Sequence, residues 1–289
     1  MKKASCRRTV KKIFLILIAA TALAVAVWEI NSSLNQKVRL VEYTYSSSEL
    51  PSAFDGYRVF VVSDLHNAHF SDMIISHIRA SEPDMIVLLG DLVQLPMWNF
   101  DQIAFVAEKF GDNIPIYAVS GNHETQNKEY YYIRNELEKL GVNWLENKKT
   151  VVEKGGETIT LAGIKDPKHD NVSEDRCKRI GEMLSDELLT DDDFSLVLSH
   201  RASLYPYLKD SGANLILSGH LHGGLIRLPF VGGIVNEYGK LGHSDYEYGV
   251  VCEADGATMI VSGGCDKNPD KMRWFNQPEI LLVTLKKER

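Results

Sequence analysis

The sequence predicts a layered α/β fold that follows an N-terminal apolar segment. In the first half of the chain, short and fully apolar runs alternate with segments of helical spacing, a pattern typical of buried strands joined by helices. The second half has many short apolar runs and few helical segments. Two sheets packed face to face would accommodate both halves. With 289 residues, the chain is long enough for one large domain after the N-terminal segment.

The first thirty residues have the pattern of a membrane signal. Six basic residues precede Ile13–Trp28, which is apolar apart from Thr21. This run is a little shorter than the about 20 residues that span a bilayer. Two interpretations therefore remain open: a signal anchor, which Trp28 favours as an interfacial residue, or a signal peptide cleaved after Ala24 or Ala26. The basic flank keeps the N-terminus inside, so we expect a single-pass protein of the cell membrane with its domain outside the cytoplasm, or a secreted protein after cleavage.

The chain divides into a signal segment (1–30), a polar connector (31–55) and one domain (56–289). The connector contains an alternating patch, Val38–Tyr43, that predicts a first strand. In the domain we predict strands at Arg58–Val62, Met85–Leu89 and Ile114–Val119, and helices at Ser71–Ala80, Phe100–Phe110 and Tyr130–Leu140. Further strands are predicted at Thr150–Glu153, Thr158–Ala162, Leu196–Ser199, Leu215–Leu217, Tyr248–Cys252, Thr258–Val261 and Ile280–Leu285.

Charge and cysteine content exclude some functions. The formal net charge is −7, and without the six basic residues of the N-terminus the rest of the chain carries −13. An acidic domain has no electrostatic footprint for nucleic acid, so we expect no such partner. The four cysteines form no CxxC pair. If the domain is exported, a bridge between Cys252 and Cys265 is conceivable, although free thiols are the simpler expectation.

Five short polar segments follow apolar runs in a fixed order. They contain five of the nine histidines, together with carboxylate and amide oxygens, and no thiolate. Such donors suit divalent transition metals rather than a cysteine-rich structural zinc site. Because each segment follows a predicted strand, we expect the five to meet where α/β enzymes keep their chemistry, at the strand ends. The segments are Ser63-Asp64-Leu65-His66, Gly90-Asp91, Gly121-Asn122-His123-Glu124, Ser199-His200 and Gly219-His220-Leu221-His222.

This order of motifs resembles the calcineurin-like metallophosphoesterase superfamily, whose pattern is DxH, GD, GNH[DE], H and GHxH. The resemblance covers about residues 56–285. The segment Gly219–Pro229 and the C-terminal Arg273–Ile280 are similar to the bacterial, membrane-associated YkuE/YaeI-like branch. Leu225 departs from that branch, where glutamine is usual. The resemblance implies a four-layer α/β/β/α sandwich around a site for two metal ions.

The resemblance also implies a role for each motif residue. Asp64, His66 and His222 would bind one ion, Asn122, His200 and His220 the other, and Asp91 would bridge both. His123 would contact the phosphoryl group or protonate the leaving oxygen, with Glu124 orienting its ring. Gly121 and Gly219 are expected to permit sharp turns close to the metals. The mixture of imidazole, carboxylate and amide donors favours Mn²⁺, Fe or Zn²⁺.

Other polar residues have two interpretations. His69 and Asn67 lie close enough to His66 in sequence to touch substrate, but a surface or structural role is expected. Arg227 could contact phosphate or make a structural pair. Lys165, Asp166 and His169 fall in a polar loop, where we expect solvated side chains.

The function expected from these observations is metal-dependent hydrolysis of a phosphate ester, as a phosphodiesterase or phosphatase, outside the cytoplasmic membrane. The alternative is a pyrophosphatase or phosphodiesterase acting on lipid-linked headgroups, since the apolar loop Leu225–Ile234 directly follows two ligands. A non-catalytic metal-binding protein is disfavoured because the ligand set is intact. The sequence leaves the physiological substrate and the oligomeric state open.

Overall fold

The computed structural model describes residues 2–96, 99–169, 172–189, 193–228, 230–253, 256–267 and 273–288. Within these residues the strands are, in chain order, β1 (Arg39–Ser47), β2 (Arg58–Val62), β3 (Met85–Leu88), β4 (Ile116–Ala118), β5 (Val142–Trp144), β6 (Lys148–Lys154), β7 (Glu157–Ile164), β8 (Ser195–Arg201), β9 (Leu215–Gly219), β10 (Ile226–Leu228), β11 (Gly232–Val235), β12 (Gly249–Val251), β13 (Thr258–Val261) and β14 (Glu279–Lys287).

The helices begin with the long N-terminal one. They are α1 (Lys2–Leu34), α2 (Ser71–Ser81), α3 (Asp101–Phe110), α4 (Asn122–Gln126), α5 (Tyr130–Lys139), α6 (Glu174–Met183) and α7 (Tyr205–Leu208). A π-helical turn at Leu184–Leu188 continues α6, and short 3₁₀ turns lie at Ser52–Phe54 and Ala202–Leu204.

Twelve of these strands form two six-stranded sheets. The first has the order β1-β14-β2-β3-β4-β5 and the second the order β12-β13-β9-β8-β7-β6. In the first sheet β2 to β5 run parallel, and in the second β7, β8, β9 and β13 do so. Parallel strands end at the same edge of their sheet, so each sheet presents a row of carboxyl ends. The hairpin of β10 and β11 lies apart from both sheets.

Successive residues of the central strands point into different layers. In β2, Val59 and Val61 pack between the two sheets, whereas Phe60 and Val62 pack under helices α2, α3 and α5. In β8, Leu198 faces the other sheet and Val197 faces the helical layer beyond the second sheet. Strands buried on both faces explain the unbroken apolar runs. The predicted four-layer α/β/β/α sandwich is confirmed.

The segment predicted as a polar connector contributes a strand to the first sheet. β1 is longer than the predicted Val38–Tyr43 strand and pairs in parallel with the whole of β14. Tyr43 and Tyr45 pack against the core between the sheets. Residues 39–47 therefore belong structurally to the domain.

Several elements were not predicted. The helix α6 has only two buried residues, Cys177 and Gly181, so its buried face is too narrow to detect by periodicity. A Cβ on Gly181 would lie 2.2 Å from the carbonyl oxygen of Tyr207, so glycine permits the contact between α6 and α7. The cysteines agree with the simpler expectation of free thiols: Cys252 is exposed, Cys265 is buried, and the conceivable bridge between them is not formed.

Candidate metal centre

The metal-ligand candidates converge from the two sheets. Asp64 and His66 follow β2, Asp91 follows β3, and Asn122 begins α4 just after β4. From the second sheet, His200 lies near the end of β8, and His220 and His222 follow β9. The pairing of β8 with β9 is irregular between Leu198 and Arg201, and such an irregularity re-aims a side chain at a strand end. All seven predicted ligands therefore lie at the carboxyl edges of the parallel strands.

Five of the seven candidates have a left-handed backbone conformation. Positive φ angles are rare for residues with a side chain, cost free energy, and cluster at functional sites. The surrounding fold must therefore hold these residues in place. Their φ angles are 52° at Asp64, 45° at His66, 50° at Asp91, 76° at His220 and 51° at His222.

The ligand atoms fall into overlapping groups with Asp91 at the centre. One group is Asp64, His66 and His222, and another is Asp91, His200 and His220; within each, the donor atoms lie within 4.8 Å of one another. A third group consists of His66, Asp91 and His123, so it connects the first two groups. The Asp91 Oδ2 atom lies 3.6 Å from His66 Nε2 and 3.5 Å from His200 Nε2. One carboxylate thus faces both sets of ligands.

Buried donor atoms without partners indicate that these residues fit metal ions. Among the described residues, both ring nitrogens of His66, the Oδ1 atom of Asn122 and the Nε2 atom of His200 are buried without a hydrogen-bond partner. Native proteins rarely leave such atoms unpaired. His200 Nδ1 lies 2.6 Å from the carbonyl oxygen of Leu89 and donates to it, which leaves the Nε2 lone pair free for a cation.

The electrostatics of the site agree with this assignment. Burial lowers the pKa of His66 to about 4, so its ring is neutral and can act as a ligand. Burial also opposes charge on Asp91, but the nearby His200 and His66 outweigh it and hold the Asp91 pKa well below its usual range. The Asp91 carboxylate in turn overcomes the effect of burial on His200 and raises the pKa of that ring to about 10. A metal ion bound here would displace this proton.

Asp266 and Arg273, which the motifs did not identify as part of the site, orient His222. Its Nδ1 atom lies 3.1 Å from Asp266 Oδ1, and its Nε2 atom lies 3.8 Å from Asp64 Oδ1. The Asp266 carboxylate also pairs with the guanidinium of Arg273. Burial alone would raise the pKa of Asp266, but Arg273 and His222 lower it far below its usual range. A carboxylate behind a ligating histidine fixes the ring and is a common feature of metal sites.

The ring of His220 contacts a buried ion pair formed by Arg201 and Asp166. The Arg201 Nε atom donates to Asp166 Oδ2 over 2.7 Å, and Arg201 Nη1 lies 3.2 Å from His220 Nε2. Asp166 is only 4% exposed. The expectation of a solvated Asp166 is therefore wrong: the polar loop folds inward and pairs with a cation beside the site. Nothing in the local pattern of residues 165–169 distinguishes such a loop from a solvated one.

Glu124 fixes the backbone around Asp91 rather than the ring of His123. Its two carboxylate oxygens accept hydrogen bonds from the N–H groups of Asp91, Leu92, Val93 and Gly121, at 2.7 to 3.0 Å. Burial, reinforced by the Asp91 charge, raises the pKa of Glu124, and the four donors oppose that effect. The expected role in orienting His123 is corrected: Glu124 holds the loop that carries Asp91.

His123 is positioned by the backbone. Its Nδ1 atom accepts a hydrogen bond from the Leu95 N–H over 3.1 Å, and its Nε2 atom lies 4.0 Å from Asp91 Oδ2. In a neutral ring that accepts at Nδ1, the proton is on Nε2. His123 therefore points an N–H group toward the ligand cluster.

Two glycines allow close approach rather than sharp turns. A Cβ on Gly121 would lie 2.1 Å from Asp91 Oδ1, and one on Gly219 would lie 2.0 Å from Ser63 Oγ. Gly121 has a φ of −95°, which any residue can adopt. These positions require glycine because a ligand-bearing segment passes against them.

A cavity of about 280 Å³ opens beside the ligands. Besides Asp266 and Arg273, two further lining residues, Gln94 and Glu237, were not predicted as part of the site. Glu237 is only 5% exposed, and burial raises its pKa. Leu225, the departure from the related branch, also lines this cavity. The full lining is His66, Gln94, His123, His222, Leu225, Glu237, Asp266 and Arg273.

The structure assigns a structural contact to Arg227 and His69, two of the residues that had two interpretations, but not to Asn67. Arg227 makes a structural pair: it contacts Glu247 at 3.3 Å and lies over the ring of Tyr248. His69 Nδ1 lies 3.1 Å from Gln102 Nε2 near the surface. Asn67 differs, because both polar atoms of its side chain are buried without a partner among the described residues.

Comparison with known proteins identifies the family of this chain. The calcineurin-like phosphoesterase family model matches residues 57–224, and the chain belongs to this family. It is accordingly a metal-dependent phosphoester hydrolase. It is 29% identical to the uncharacterised metallophosphoesterase YkuE of Bacillus subtilis, over 99% of each chain. It is also 29% identical to the phosphodiesterase YaeI of Escherichia coli, over 61% of this chain and 64% of YaeI.

Proposed function

We propose that this protein hydrolyses phosphate monoesters or diesters on the outer side of the cytoplasmic membrane with two divalent metal ions. The observation that supports the proposal most directly is the position of Asp91, whose Oδ2 atom faces His66 at 3.6 Å and His200 at 3.5 Å. A carboxylate between two sets of buried donors is suited to bridge two cations.

The ligand sets are proposed as follows. Asp64, His66 and His222 hold one ion, and Asn122, His200 and His220 hold the other. Mn²⁺, Fe and Zn²⁺ fit this mixture of nitrogen and oxygen donors best. When bound, the ions supply Lewis acidity toward the phosphoryl oxygens and activate water as the nucleophile.

The residues of the chain contribute position and hydrogen bonding. Glu124 holds the Asp91 loop through four backbone N–H groups, so the shared carboxylate is placed before substrate arrives. His123 directs its Nε2–H toward the site, where it donates to a phosphoryl or leaving-group oxygen. An imidazolium at His123 would lose the Leu95 hydrogen bond, so the geometry favours a neutral donor over a general acid.

The location is proposed from α1. Among the described residues, one helix, Lys11–Leu34, is long and apolar enough to cross a membrane, and its most apolar stretch is not buried against the domain. The six basic residues before Ile13 would keep the N-terminus in the cytoplasm. We propose that residues 1–30 form an uncleaved anchor, that the segment 31–55, which includes β1 of the first sheet, connects it to the domain, and that 56–289 carry the catalytic site outside.

The experiment measures hydrolysis of p-nitrophenyl phosphate and its bis ester by the full-length protein in detergent. We expect turnover with Mn²⁺, its loss after chelation, and its return when metal is restored. Asp91→Asn should abolish turnover, whereas Asp72→Asn, on an exposed part of α2, should keep it. Full activity in the chelated protein or in Asp91→Asn would rule out the proposal, and binding of metal without turnover of either ester would favour a non-catalytic protein.

A further inference from the structure

The end of α1 is bound to the wall of the metal cavity. Asn31 is 1% exposed; its Nδ2 atom donates to the carbonyl oxygen of Arg273 over 2.9 Å, and its Oδ1 atom accepts from the Phe275 N–H over 2.9 Å. Asn35 Nδ2 donates to the same Arg273 carbonyl over 2.7 Å. The Arg273 side chain lines the cavity. Two amides thus fix the helix to the site, so α1 is not a loose tether.

This contact lies where an anchor would leave the bilayer. Asn31 lies three residues after Trp28, the last residue of the apolar run, and the rise along a helix is only about 1.5 Å per residue. In a protein whose α1 crosses the bilayer, the segment Arg273–Phe275 is therefore level with the membrane surface. Trp28 is 49% exposed and Phe275 46% exposed. Tryptophan is enriched at the interface between membrane and water, and an exposed phenylalanine beside it adds apolar surface.

The β10–β11 hairpin lies next to the same segment. The Trp274 N–H donates to the carbonyl oxygen of Leu225, and the Arg227 N–H donates to that of Trp274, at 2.8 and 3.0 Å. Beyond this pairing the hairpin ends in Phe230 and Val231, which are fully exposed and 68% exposed. At about 3.3 Å per residue, its tip is within roughly 15 Å of Arg273–Phe275.

A second loop with the same character lies beside the hairpin. The Gly242 N–H donates to the carbonyl oxygen of Ile234 over 3.0 Å, which places the loop Tyr238–Leu241 along β11. Tyr238 is 52% exposed and Leu241 is 90% exposed. The exposed charge in this loop is Lys240, and the neighbouring acid, Glu237, is buried and faces the cavity. Apolar and basic side chains thus share one surface of an otherwise acidic domain.

We propose that the membrane-facing rim, defined as Phe230, Val231 and the loop Tyr238–Leu241, rests on the anionic leaflet of the bilayer that α1 spans. Exposed apolar side chains combined with a lysine are suited to the headgroup region of anionic lipids. Leu225 begins the hairpin and Glu237 adjoins the loop, and both line the cavity. The metal site would therefore open at headgroup level and take phosphate esters held at the membrane surface. This inference rests on the proposed anchor and hydrolase function.

The position of the rim is tested with nitroxide labels in full-length protein reconstituted into vesicles of phosphatidylcholine and phosphatidylglycerol. Cys6 and Cys252 are first replaced by serine, and the label is attached at Val231→Cys or, as a control, at Val151→Cys. Val151 is 56% exposed on β6, the edge strand of the second sheet. We expect the label at 231 to collide more often with oxygen than with a water-soluble nickel chelate, and the label at 151 to do the reverse.

Two results would overturn the proposal. Equal, water-like accessibility at both positions would show that the rim faces solvent. Shielding of position 231 from both oxygen and nickel would assign the rim to a protein contact instead.

The functional consequence is tested separately. The pair Phe230→Glu and Val231→Glu should slow hydrolysis of vesicle-held hexadecyl p-nitrophenyl phosphate about tenfold, because two apolar contacts with lipid are lost. The rate on soluble bis(p-nitrophenyl) phosphate should not change, and Val151→Glu should affect neither. Equal slowing of both substrates would contradict the proposed contact between the rim and the bilayer. If neither substrate is hydrolysed by the unaltered protein, the proposed function fails, while the label experiment still decides the position of the rim.

Discussion

A backbone hydrogen bond determines which ring nitrogen of His123 carries the proton. The Leu95 N–H occupies Nδ1, which leaves Nε2–H to face Asp91 and the cavity. Family resemblance leaves two roles for this histidine, as a contact to the phosphoryl group or as an acid. The hydrogen bond favours the first, and such a contact could not be derived from the sequence because Leu95 lies 28 residues away.

His123→Ala should therefore slow aryl and alkyl phosphate esters by similar factors. Loss of one donor to a charged oxygen typically costs about 10²–10³ in rate, and the metal content should stay unchanged. The measurement compares kcat on p-nitrophenyl phosphate with kcat on an alkyl monoester. Far greater slowing of the alkyl ester would identify His123 as a general acid, and loss of a metal would identify it as a ligand.

Asp266 holds the ring of His222, a proposed metal ligand, so its substitution should weaken metal binding more than folding. In Asp266→Asn the amide cannot supply the negative charge that now faces His222 Nδ1. Loss of such a partner typically lowers metal affinity by about 10–100-fold. Titration with Mn²⁺ followed by calorimetry measures the effect, with the exposed Asp210→Asn as the control. Unchanged affinity in Asp266→Asn would show that the contact is only structural.

At the level of elements, the strands that carry the ligands were predicted because each is a fully buried run followed by a polar turn. The apolar runs before Asp64, Asp91 and Asn122 match β2, β3 and β4 to within two residues at either end. The π-helical turn and α6 escaped prediction because their buried faces are short. The inward fold of the loop containing Asp166 depends on Arg201, a partner far away in sequence.

The contact between the β3 and β4 loops gives a test at this scale. Gly121→Ala would force a methyl group to within 2.1 Å of Asp91 Oδ1. We expect loss of metal binding and a decrease of about 1–3 kcal/mol in the free energy of unfolding, the usual cost of overpacking. Chemical denaturation measures the second effect. In the matched variant Gly256→Ala the nearest atom is 3.4 Å away, and stability should change little; equal effects of both substitutions would contradict the account.

At the scale of the whole molecule, the amphiphilic N-terminus and the domain form one structure. The sequence predicted the anchor or signal from its charge and apolar length and a strand at Val38–Tyr43, but it treated residues 31–55 as a connector outside the domain. The structure joins β1 to β14 along its full length and binds Asn31 to Arg273. Long-range pairing of this kind has no local pattern, since it depends on residues more than two hundred positions apart.

The proposed orientation in the membrane rests on the basic residues before Ile13. A reporter enzyme that works only outside the cytoplasm, fused after the C-terminal residue, should be active, and a cytoplasmic reporter at the same place should be inactive. Replacing the six basic residues with glutamine should reduce this preference, because they hold the N-terminus inside. Activity of the cytoplasmic reporter alone in the unaltered chain would reverse the proposed topology.

The central claim is that Asp91 lies between two metal ions, each completed by ligands from both sheets. The most direct measurement is anomalous diffraction from crystals of the full-length protein grown with Mn²⁺. The account predicts two peaks on either side of the Asp91 carboxylate, one contacting Asp64, His66 and His222 and the other contacting Asn122, His200 and His220. A single peak, or a pair of peaks that does not share Asp91, would contradict it.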